Sequence, residues 1–133
     1  MIIIDSSVLI SYYNNRDDNH SKAEKVMEKI RLNNYGEAFL TDFIFDETLT
    51  VLLSKIKDKN RLISIGEILK MKIKERISED LFERSWKIFK EQNKTSFSFT
   101  DCSIIAVINK TNTSYLATFD EEFKSIEGIS IIQ

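Results

Sequence analysis

Short apolar runs alternate along the chain with segments in which apolar residues recur every three or four positions. The first run, Ile-Ile-Ile at residues 2–4, has no intervening polar residue, a pattern typical of a strand buried on both faces of a parallel sheet. Residues 38–40 and 115–117 are further short apolar runs, and Ile129, Ile131 and Ile132 predict a last strand. Helical segments between them predict an α/β fold, a three-layer α/β/α sandwich around a central, mainly parallel sheet.

Capping residues and apolar spacing together predict six helices. They are a short helix after Asp5, helices over about 19–33, 42–58 and 60–72, and two helices capped by Ser78 and Ser98. Ser98 and Asp101 form an S-x-x-D capping box at the start of the last helix.

Two further segments complete this pattern. Arg76 and Ile77 are predicted to form a short extended piece. Phe82, Trp86 and Phe89 recur at helical spacing and predict an aromatic stripe that belongs either to the core or to a dimer face.

Composition describes an ordinary globular chain. Its 133 residues, 42% hydrophobic and 30% charged, are enough for one domain with a real core, predicted here as residues 1–133. We expect a cytoplasmic protein, because one cysteine permits no internal disulfide, no signal peptide is evident and no apolar run is long enough to cross a membrane. The net charge of -2 does not indicate a nucleic-acid ligand, but clustered basic residues could still bind one.

The residue counts exclude several kinds of chemistry. One histidine and one cysteine cannot form a Cys/His zinc cage or a pair of catalytic histidines. The three glycines stand apart, so there is neither a phosphate-binding P-loop nor a dinucleotide-binding motif. His20 is interpreted as a polar residue at a helix start, and Cys102 as a small core residue. Carboxylates are the reactive groups that remain in quantity.

Four acids are predicted to approach one end of the sheet. Asp5 and Asp120 each follow an apolar strand, and the carboxyl ends of parallel strands border the crevice in which α/β proteins bind ligands. Glu47 is spaced to lie on the apolar face of its helix, or at the edge of that face in contact with water. Asp101 stands at the start of a buried helix face. Taken alone, Asp5 is better explained as a helix cap. Asp101 also has a structural explanation, as the acid of the capping box.

Converging carboxylates repel each other, and without a cation some of them would retain a proton. A set of oxygen ligands without His or Cys selects Mg²⁺ or Mn²⁺. Such an ion can activate water and neutralise charge on a phosphodiester, which is the chemistry of a metal-dependent nuclease. A cluster of basic residues, most often a solvated face, could here attract phosphate. Its members are Lys55, Lys57, Lys59 and Arg61.

Four segments resemble PIN-domain proteins, most closely the VapC toxins of bacterial and archaeal toxin–antitoxin pairs. They read I-I-I-D-S-S-V-L-I at 2–10, F-I-F-D-E-T-L at 43–49, S-F-T-D-C-S-I-I-A at 98–106 and L-A-T-F-D-E-E-F at 116–123. Their order and spacing cover essentially the whole chain. The chain departs from many relatives at Cys102, where they have alanine.

The resemblance implies a PIN-like fold and Mg²⁺- or Mn²⁺-dependent endoribonuclease activity. It matches Asp5, Glu47, Asp101 and Asp120 with the acidic quartet of the family. Asp5 and Asp101 would be direct metal ligands, and Glu47 would complete the shell or orient the attacking water. Asp120 would hold the metal through water or tune the other acids.

Further binding residues and partners follow from the same resemblance. Ser7 and Thr118 are expected to hydrogen-bond the acids or the phosphate of the substrate. The resemblance also implies a homodimer and a VapB-like antitoxin that neutralises the chain by entering the acidic cleft with an Arg or Lys.

Two other functions remain open. One is a PIN-fold module that binds RNA or a protein without cutting, although an idle site has little reason to keep four costly acids. The other is a protein phosphorylated on Asp5, similar to receiver or haloacid-dehalogenase-like folds. The latter usually carry a second aspartate two residues later, where this chain has Ser7.

Overall fold

Five short strands form one sheet in the computed structural model, which describes residues 1–133. The strands are β1 (Ile2–Ile4), β2 (Ala38–Thr41), β3 (Ile73–Glu75), β4 (Tyr115–Ala117) and β5 (Ser130–Ile132). Their order is β3-β2-β1-β4-β5, and every neighbouring pair is parallel. The predicted parallel sheet is therefore confirmed.

Six helices connect the strands. They are α1 (Ser6–Tyr13), α2 (His20–Arg31), α3 (Asp42–Lys55), α4 (Lys59–Lys70), α5 (Glu79–Glu91) and α6 (Phe99–Thr111). Because crossovers between parallel strands are right-handed, α1 to α4 cover one face of the sheet and α5 and α6 cover the other. This arrangement confirms the three-layer α/β/α sandwich.

The middle strand shows why the apolar runs become strands at the centre of the fold. Ile2, Ile3 and Ile4 are 0%, 0% and 4% exposed, because β1 pairs with β2 and β4 and helices cover both of its faces. A polar residue at any of these positions would lose its hydration without gaining a partner. Burial of such runs is the main force that holds the sheet between its helices.

Helix ends follow the capping residues, with one error in the prediction for α3. Ser78 and Ser98 cap α5 and α6 as expected, and Thr41 caps α3. The prediction that α3 continues to Asp58 was wrong, since α3 ends at Lys55. The Asp58 carboxylate instead accepts a hydrogen bond from the backbone N–H of Arg61 and so starts α4.

The short extended segment was placed too late in the chain. The strand is Ile73–Glu75, not Arg76 and Ile77, and it pairs with the end of β2 through Leu40 and Thr41. No residue of this edge strand is fully buried, so β3 needs no apolar run. With only one apolar residue, β3 carried no recognisable pattern in the sequence.

His20 and Cys102 have structural positions. His20 Nδ1 lies 2.9 Å from the carbonyl oxygen of Ser11, so the ring fastens the start of α2 to α1. Cys102 is fully buried in the core. Burial is the main reason that the pKa of its thiol rises to about 11, and the nearby charge of Asp101 adds to the effect. Both residues therefore have the structural roles predicted for them.

The aromatic stripe on α5 lies at the surface. Phe82, Trp86 and Phe89 are 46%, 43% and 39% exposed, so the prediction that they belong to the core was wrong. The buried face of α5 is formed by Leu81 and Ser85 instead. As to membranes, none of the helices combines the length and the apolar character that a membrane span requires.

Candidate active site

The sheet has one point at which the strand order reverses. From β1 the chain moves outward to β2 and β3, whereas β4 and β5 lie on the opposite side of β1. In open α/β sheets, ligands bind outside the carboxyl ends of the strands at such a switch point. Asp5 directly follows β1, and Asp120 lies three residues beyond the last residue of β4. Both acids therefore lie at the switch point.

Asp5 is the buried centre of the site. The residue is 3% exposed, and its carboxylate accepts hydrogen bonds at both oxygens. Oδ1 accepts one from the backbone N–H of Ser6 at 2.7 Å, which makes Asp5 the cap of α1. Oδ2 accepts one from Ser7 Oγ at 2.7 Å and one from Thr118 Oγ1 at 2.8 Å. These donors offset part of the cost of burying a charge and fix the orientation of the carboxylate.

Glu47 reaches the same place from the second turn of α3. It is half-buried, in agreement with its predicted place at the apolar face of the helix or at the edge of that face, whereas its neighbour Asp46 is exposed. The Oγ of Ser6 donates to Glu47 Oε2 at 2.7 Å and lies 3.4 Å from Asp5 Oδ1. A single buried hydroxyl thus connects the two carboxylates.

Asp101 approaches from the opposite layer. Because α6 runs back towards the start of β4, its N-terminal end lies at the carboxyl edge of the sheet. Asp101 and Ser98 form the predicted capping box, with Ser98 N–H to Asp101 Oδ2 at 2.8 Å and Asp101 N–H to Ser98 Oγ at 3.1 Å. The acid therefore has a structural role as well as its place at the site.

Burial and the charges of two other acids both raise the pKa of Asp101. Its pKa is raised from 3.8 to about 6, with burial as the largest cause. The hydrogen bonds with Ser98 lower this pKa, whereas the negative charges of Asp5 and Asp120 raise it. Asp101 is therefore close enough to Asp5 and Asp120 for their charges to disfavour its ionised form.

Asp120 is fixed by the turn that it begins. Its Oδ1 accepts from the backbone N–H of Glu122 at 2.9 Å and caps a 3-10 turn, Glu121–Ser125. The backbone N–H of Asp120 donates to Thr118 Oγ1 at 3.0 Å, and the same hydroxyl donates to Asp5. Thr118 therefore couples the positions of Asp5 and Asp120.

Ser7 has a similar position between β1 and β4. Its Oγ donates to Asp5 Oδ2 and accepts from the backbone N–H of Phe119 at 3.0 Å. The expected hydrogen bonds from Ser7 and Thr118 to the acids are thus present. Binding of either hydroxyl to a phosphate remains a prediction.

The four acids meet no basic side chain. Seven ion pairs form within the chain, and none includes Asp5, Glu47, Asp101 or Asp120. No three His, Cys, Asp or Glu side chains are arranged to hold a metal ion as they stand. The donor chemistry nevertheless fits a hard divalent cation, since every candidate ligand is a carboxylate oxygen. Mg²⁺ keeps several waters, so an ion here need not touch all four acids.

Basic side chains lie farther along α3. Lys55 is the last residue of α3, eight residues beyond Glu47 or about 12 Å along the helix axis. Lys55 and Lys57 are exposed and form no ion pair within the chain. Arg61, by contrast, donates to the carbonyl oxygen of Tyr13 at 2.7 Å and holds α4 to α1. In the basic cluster, the exposed lysines are therefore available to a ligand, whereas Arg61 stabilises the fold.

A large groove lies elsewhere on the molecule. A groove of about 1020 Å³ runs between α1, α2 and α4, and none of the four acids lines it. Its lining is mostly apolar, with Phe39 of β2 and Met27 of α2 among the contributors. The four acids therefore lie outside this groove.

Sequence reasoning missed two residues that organise this site. Ser6 follows a helix cap and has no local signal of its own, although it carries the hydroxyl that connects Asp5 to Glu47. Glu122 accepts from the backbone N–H of Ser96 at 3.1 and 3.2 Å, and so ties the turn of Asp120 to the loop before α6. Both hydrogen bonds join segments far apart in the chain, so no local sequence pattern predicts them.

The Ser6 hydroxyl gives a testable prediction for the site. Ser6→Ala is expected to lower metal-dependent RNA cleavage about 10- to 100-fold, because groups that orient metal ligands have effects of this size. Ser64→Ala is the matched control, since its exposed hydroxyl bonds only to its own helix. Cleavage rates measured over a range of Mn²⁺ concentrations would reveal the loss. Equal rates for both variants would show that Ser6 does not orient Glu47.

The structure thus shows an α/β protein whose parallel sheet has carboxylates at its switch point. The sequence places it more narrowly: the PIN domain model matches residues 2–129, and the chain belongs to the PIN domain family. No curated protein sequence matches the chain significantly.

Three solved structures share the fold at low sequence identity. The toxin VapC20 of Mycobacterium tuberculosis, described as cleaving the sarcin–ricin loop, has a TM-score of 0.84 at 20% identity, with both chains covered completely. A toxin–antitoxin complex from Klebsiella pneumoniae has a TM-score of 0.72 at 17% identity, covering 98% of this chain and 96% of that one. VapBC2 of Rickettsia felis, bound to a DNA fragment from its promoter, has a TM-score of 0.67 at 18% identity, covering 98% and 97%.

Proposed function

We propose that this protein is a Mg²⁺- or Mn²⁺-dependent endoribonuclease, the toxin of a VapBC-type pair. The observation that carries the proposal is the acidic cluster itself. Four carboxylates approach the switch point from both helical layers and two strand ends, and none of them forms an ion pair with a basic side chain. A cation is the simplest compensation for such a cluster, and a phosphodiester is the substrate to which that cation is suited.

Each acid has a distinct part in the proposed reaction. A bound divalent ion would supply charge neutralisation at the phosphate and a lowered pKa for water. Asp5 and Asp101 would hold it, because Asp5 is rigidly oriented and Asp101 is a partly buried acid whose pKa is raised by burial and by the charges of Asp5 and Asp120. Asp120 would hold it through water.

Glu47 is the proposed proton acceptor for the attacking water. Its Oε2 is occupied by the Ser6 hydroxyl, whereas Oε1 accepts no hydrogen bond within the chain. A carboxylate held at one oxygen and free at the other can orient a water molecule and take its proton. Ser6 is then a positioning residue, since it acts through Glu47.

The partners of this activity are proposed on the same basis. Two of the similar structures are toxin–antitoxin assemblies, which supports an antitoxin as partner of this chain. Its Arg or Lys would enter the acidic cleft, which offers four carboxylates and no basic side chain. We further propose that residues 1–133 act as one domain, as a homodimer and in the cytoplasm.

The proposal is tested by cleavage of a mixed RNA substrate by the purified chain. Wild type is assayed in Mn²⁺ and in EDTA, and Asp101→Ala is purified in parallel as a control for contaminating nucleases. Cutting that requires metal and disappears in the variant would support the nuclease. Binding of RNA with no cutting under any of these conditions would favour an idle PIN-fold binding module.

The two exposed lysines give a separate prediction about substrate binding. Replacing Lys55 and Lys57 by alanine is expected to weaken single-stranded RNA binding and to reduce its salt slope by roughly 0.7 for each phosphate that the variant no longer neutralises. Binding measured at several salt concentrations reads out both effects. Lys25 and Lys29 on the exposed face of α2, changed to alanine in a control variant, should leave the slope unchanged. Identical salt slopes in all three proteins would show that Lys55 and Lys57 belong to a solvated face and do not contact RNA.

A further inference from the structure

The loop between α5 and α6, residues 92–98, is held by the side chain of its first residue, Gln92. The Oε1 of Gln92 accepts a hydrogen bond from the backbone N–H of Phe97 at 2.9 Å, and its Nε2 donates to the carbonyl oxygen of Phe97 at 2.9 Å. The hydroxyl of Thr95 donates to the same Oε1 at 3.0 Å. One side chain thus satisfies both backbone groups of Phe97, a residue that is 4% exposed.

One of these two hydrogen bonds continues to Asp101. The carbonyl of Phe97 belongs to the peptide group that also contains the N–H of Ser98, and this N–H donates to Asp101 Oδ2 at 2.8 Å. Because a peptide group is planar, a hydrogen bond that fixes its carbonyl also fixes the direction of its N–H. Consecutive hydrogen bonds also polarise and strengthen one another. Gln92 therefore acts on the carboxylate of Asp101 through a single peptide group.

The same loop is attached to the turn that begins at Asp120. The ring of Phe97 packs against the ring of Phe123 in that turn, with centroids 5.0 Å apart, and Phe123 is fully buried. Phe97 is thus held through its backbone by Gln92 and through its ring by the segment of Asp120. The loop therefore relates the position of Asp101 on α6 to that of Asp120 after β4.

We infer that Gln92 is a positioning residue of the proposed cation site. Through the peptide group between Phe97 and Ser98, it keeps Oδ2 of Asp101 in its hydrogen bond. Oδ1 of Asp101 accepts no hydrogen bond within the chain and is left to the cation. The inference rests on the proposed nuclease function and adds to it a residue that touches neither metal nor substrate. A purely structural brace would affect the stability of the chain, whereas a positioning residue also affects metal binding by the folded protein.

The chemistry of the contact requires an amide. Phe97 presents one donor and one acceptor, and only an amide side chain of this length offers the matching acceptor and donor. A glutamate at position 92 would place an oxygen against the Phe97 carbonyl and would add a negative charge near the acids. Methionine is unbranched, uncharged and of similar length, but it cannot donate a hydrogen bond. Gln92→Met is therefore the variant that removes the contact with the least other change.

Metal binding and amide exchange test the inference together. In a calorimetric titration of metal-free protein, Gln92→Met is expected to bind Mn²⁺ about ten-fold more weakly than wild type, since groups that orient metal ligands contribute 10- to 100-fold in affinity. In the absence of metal, the amide proton of Ser98 should exchange with solvent about ten-fold faster in the variant, because its hydrogen bond to Asp101 is weakened. Solvent-exchange NMR measures this rate.

Thr113→Val is the matched control for a loss of stability. The buried hydroxyl of Thr113 lies 2.6 Å from Thr111 Oγ1, at the opposite end of α6 from Asp101. The control should unfold more easily in urea, as Gln92→Met should, because each variant loses hydrogen bonds of partly or fully buried groups. Its Mn²⁺ affinity and its Ser98 exchange rate should equal those of wild type.

The outcomes separate this inference from the proposed function. Equal Mn²⁺ affinity in wild type and Gln92→Met would overturn the inference and leave the cation site standing. No Mn²⁺ binding by wild type would contradict the cation site itself. In that case, faster Ser98 exchange in Gln92→Met would still support an orienting action on Asp101, and equal exchange would overturn that action as well.

Discussion

Asp5→Asn is expected to lower RNA cleavage by about 100-fold or more, since even changes to the groups that orient a metal ligand cost 10- to 100-fold. The variant should also unfold more easily, by about 1–3 kcal/mol, because the amide nitrogen cannot accept the hydrogen bonds from Ser7 or Thr118 that Oδ2 accepts now. Cleavage rate at saturating Mn²⁺ and urea unfolding measure the two effects separately. Rates are compared only under conditions in which the variant is folded.

Asp46→Asn is the matched control for this change. Asp46 is an exposed acid beside Glu47 on α3, so its loss should alter neither cleavage nor stability appreciably. An Asp5→Asn protein that is less stable but cuts RNA at the wild-type rate would reduce Asp5 to a helix cap. The same result would remove the strongest proposed metal ligand.

Asp101→Asn is expected to lower activity but to raise stability, whereas Asp5→Asn lowers both. Cleavage should fall by about 100-fold or more for the same reason as with Asp5. The metal-free variant should, however, be more stable than wild type at pH 7, by about 1 kcal/mol after allowance for the partial exposure of the group. The asparagine oxygen can still accept from the Ser98 N–H, so the capping hydrogen bond is retained.

The pH dependence of this stability difference follows from the direction of the pKa shift. Because the pKa of Asp101 is raised in the folded state from 3.8 to about 6, the folded chain holds the proton more tightly than the unfolded chain does. Its contribution is favourable below pH 4 and is lost as the pH rises towards 6. The advantage of Asp101→Asn should therefore grow between pH 4 and 6 and level off above that range. Urea unfolding in EDTA at several pH values would show this, and a difference independent of pH would contradict it.

The sequence predicted the elements of this fold better than their arrangement. Strands such as Ile2–Ile4 are recognisable because burial on both faces demands uninterrupted apolar residues. Caps such as Ser78 and Ser98 are recognisable because their role is satisfied within three residues. The edge strand β3 was misplaced because an edge makes no such demand on its residues. Strand order depends on packing between distant segments, and the sequence alone did not predict it.

The candidate site shows the same division. The four acids could be proposed from strand ends, helix faces and resemblance, whereas the hydroxyl of Ser6 between Asp5 and Glu47 could not. That hydrogen bond joins residues 41 positions apart, and Ser6 looks locally like any first residue of a helix. The exposure of Phe82, Trp86 and Phe89 was equally hidden, because helical spacing identifies a stripe without saying which side of the helix faces the core.

The most direct test of the central claim, that these four acids form one cation site, is a calorimetric titration of metal-free protein with Mn²⁺. Wild type is compared with Glu47→Gln, which removes one charge at a half-buried position, and with Asp46→Asn as control. We expect saturable binding by wild type and the control, and binding at least ten-fold weaker in Glu47→Gln, since a group around the metal typically contributes 10- to 100-fold in affinity. No saturable binding by wild type, or equal binding by all three proteins, would contradict the claim.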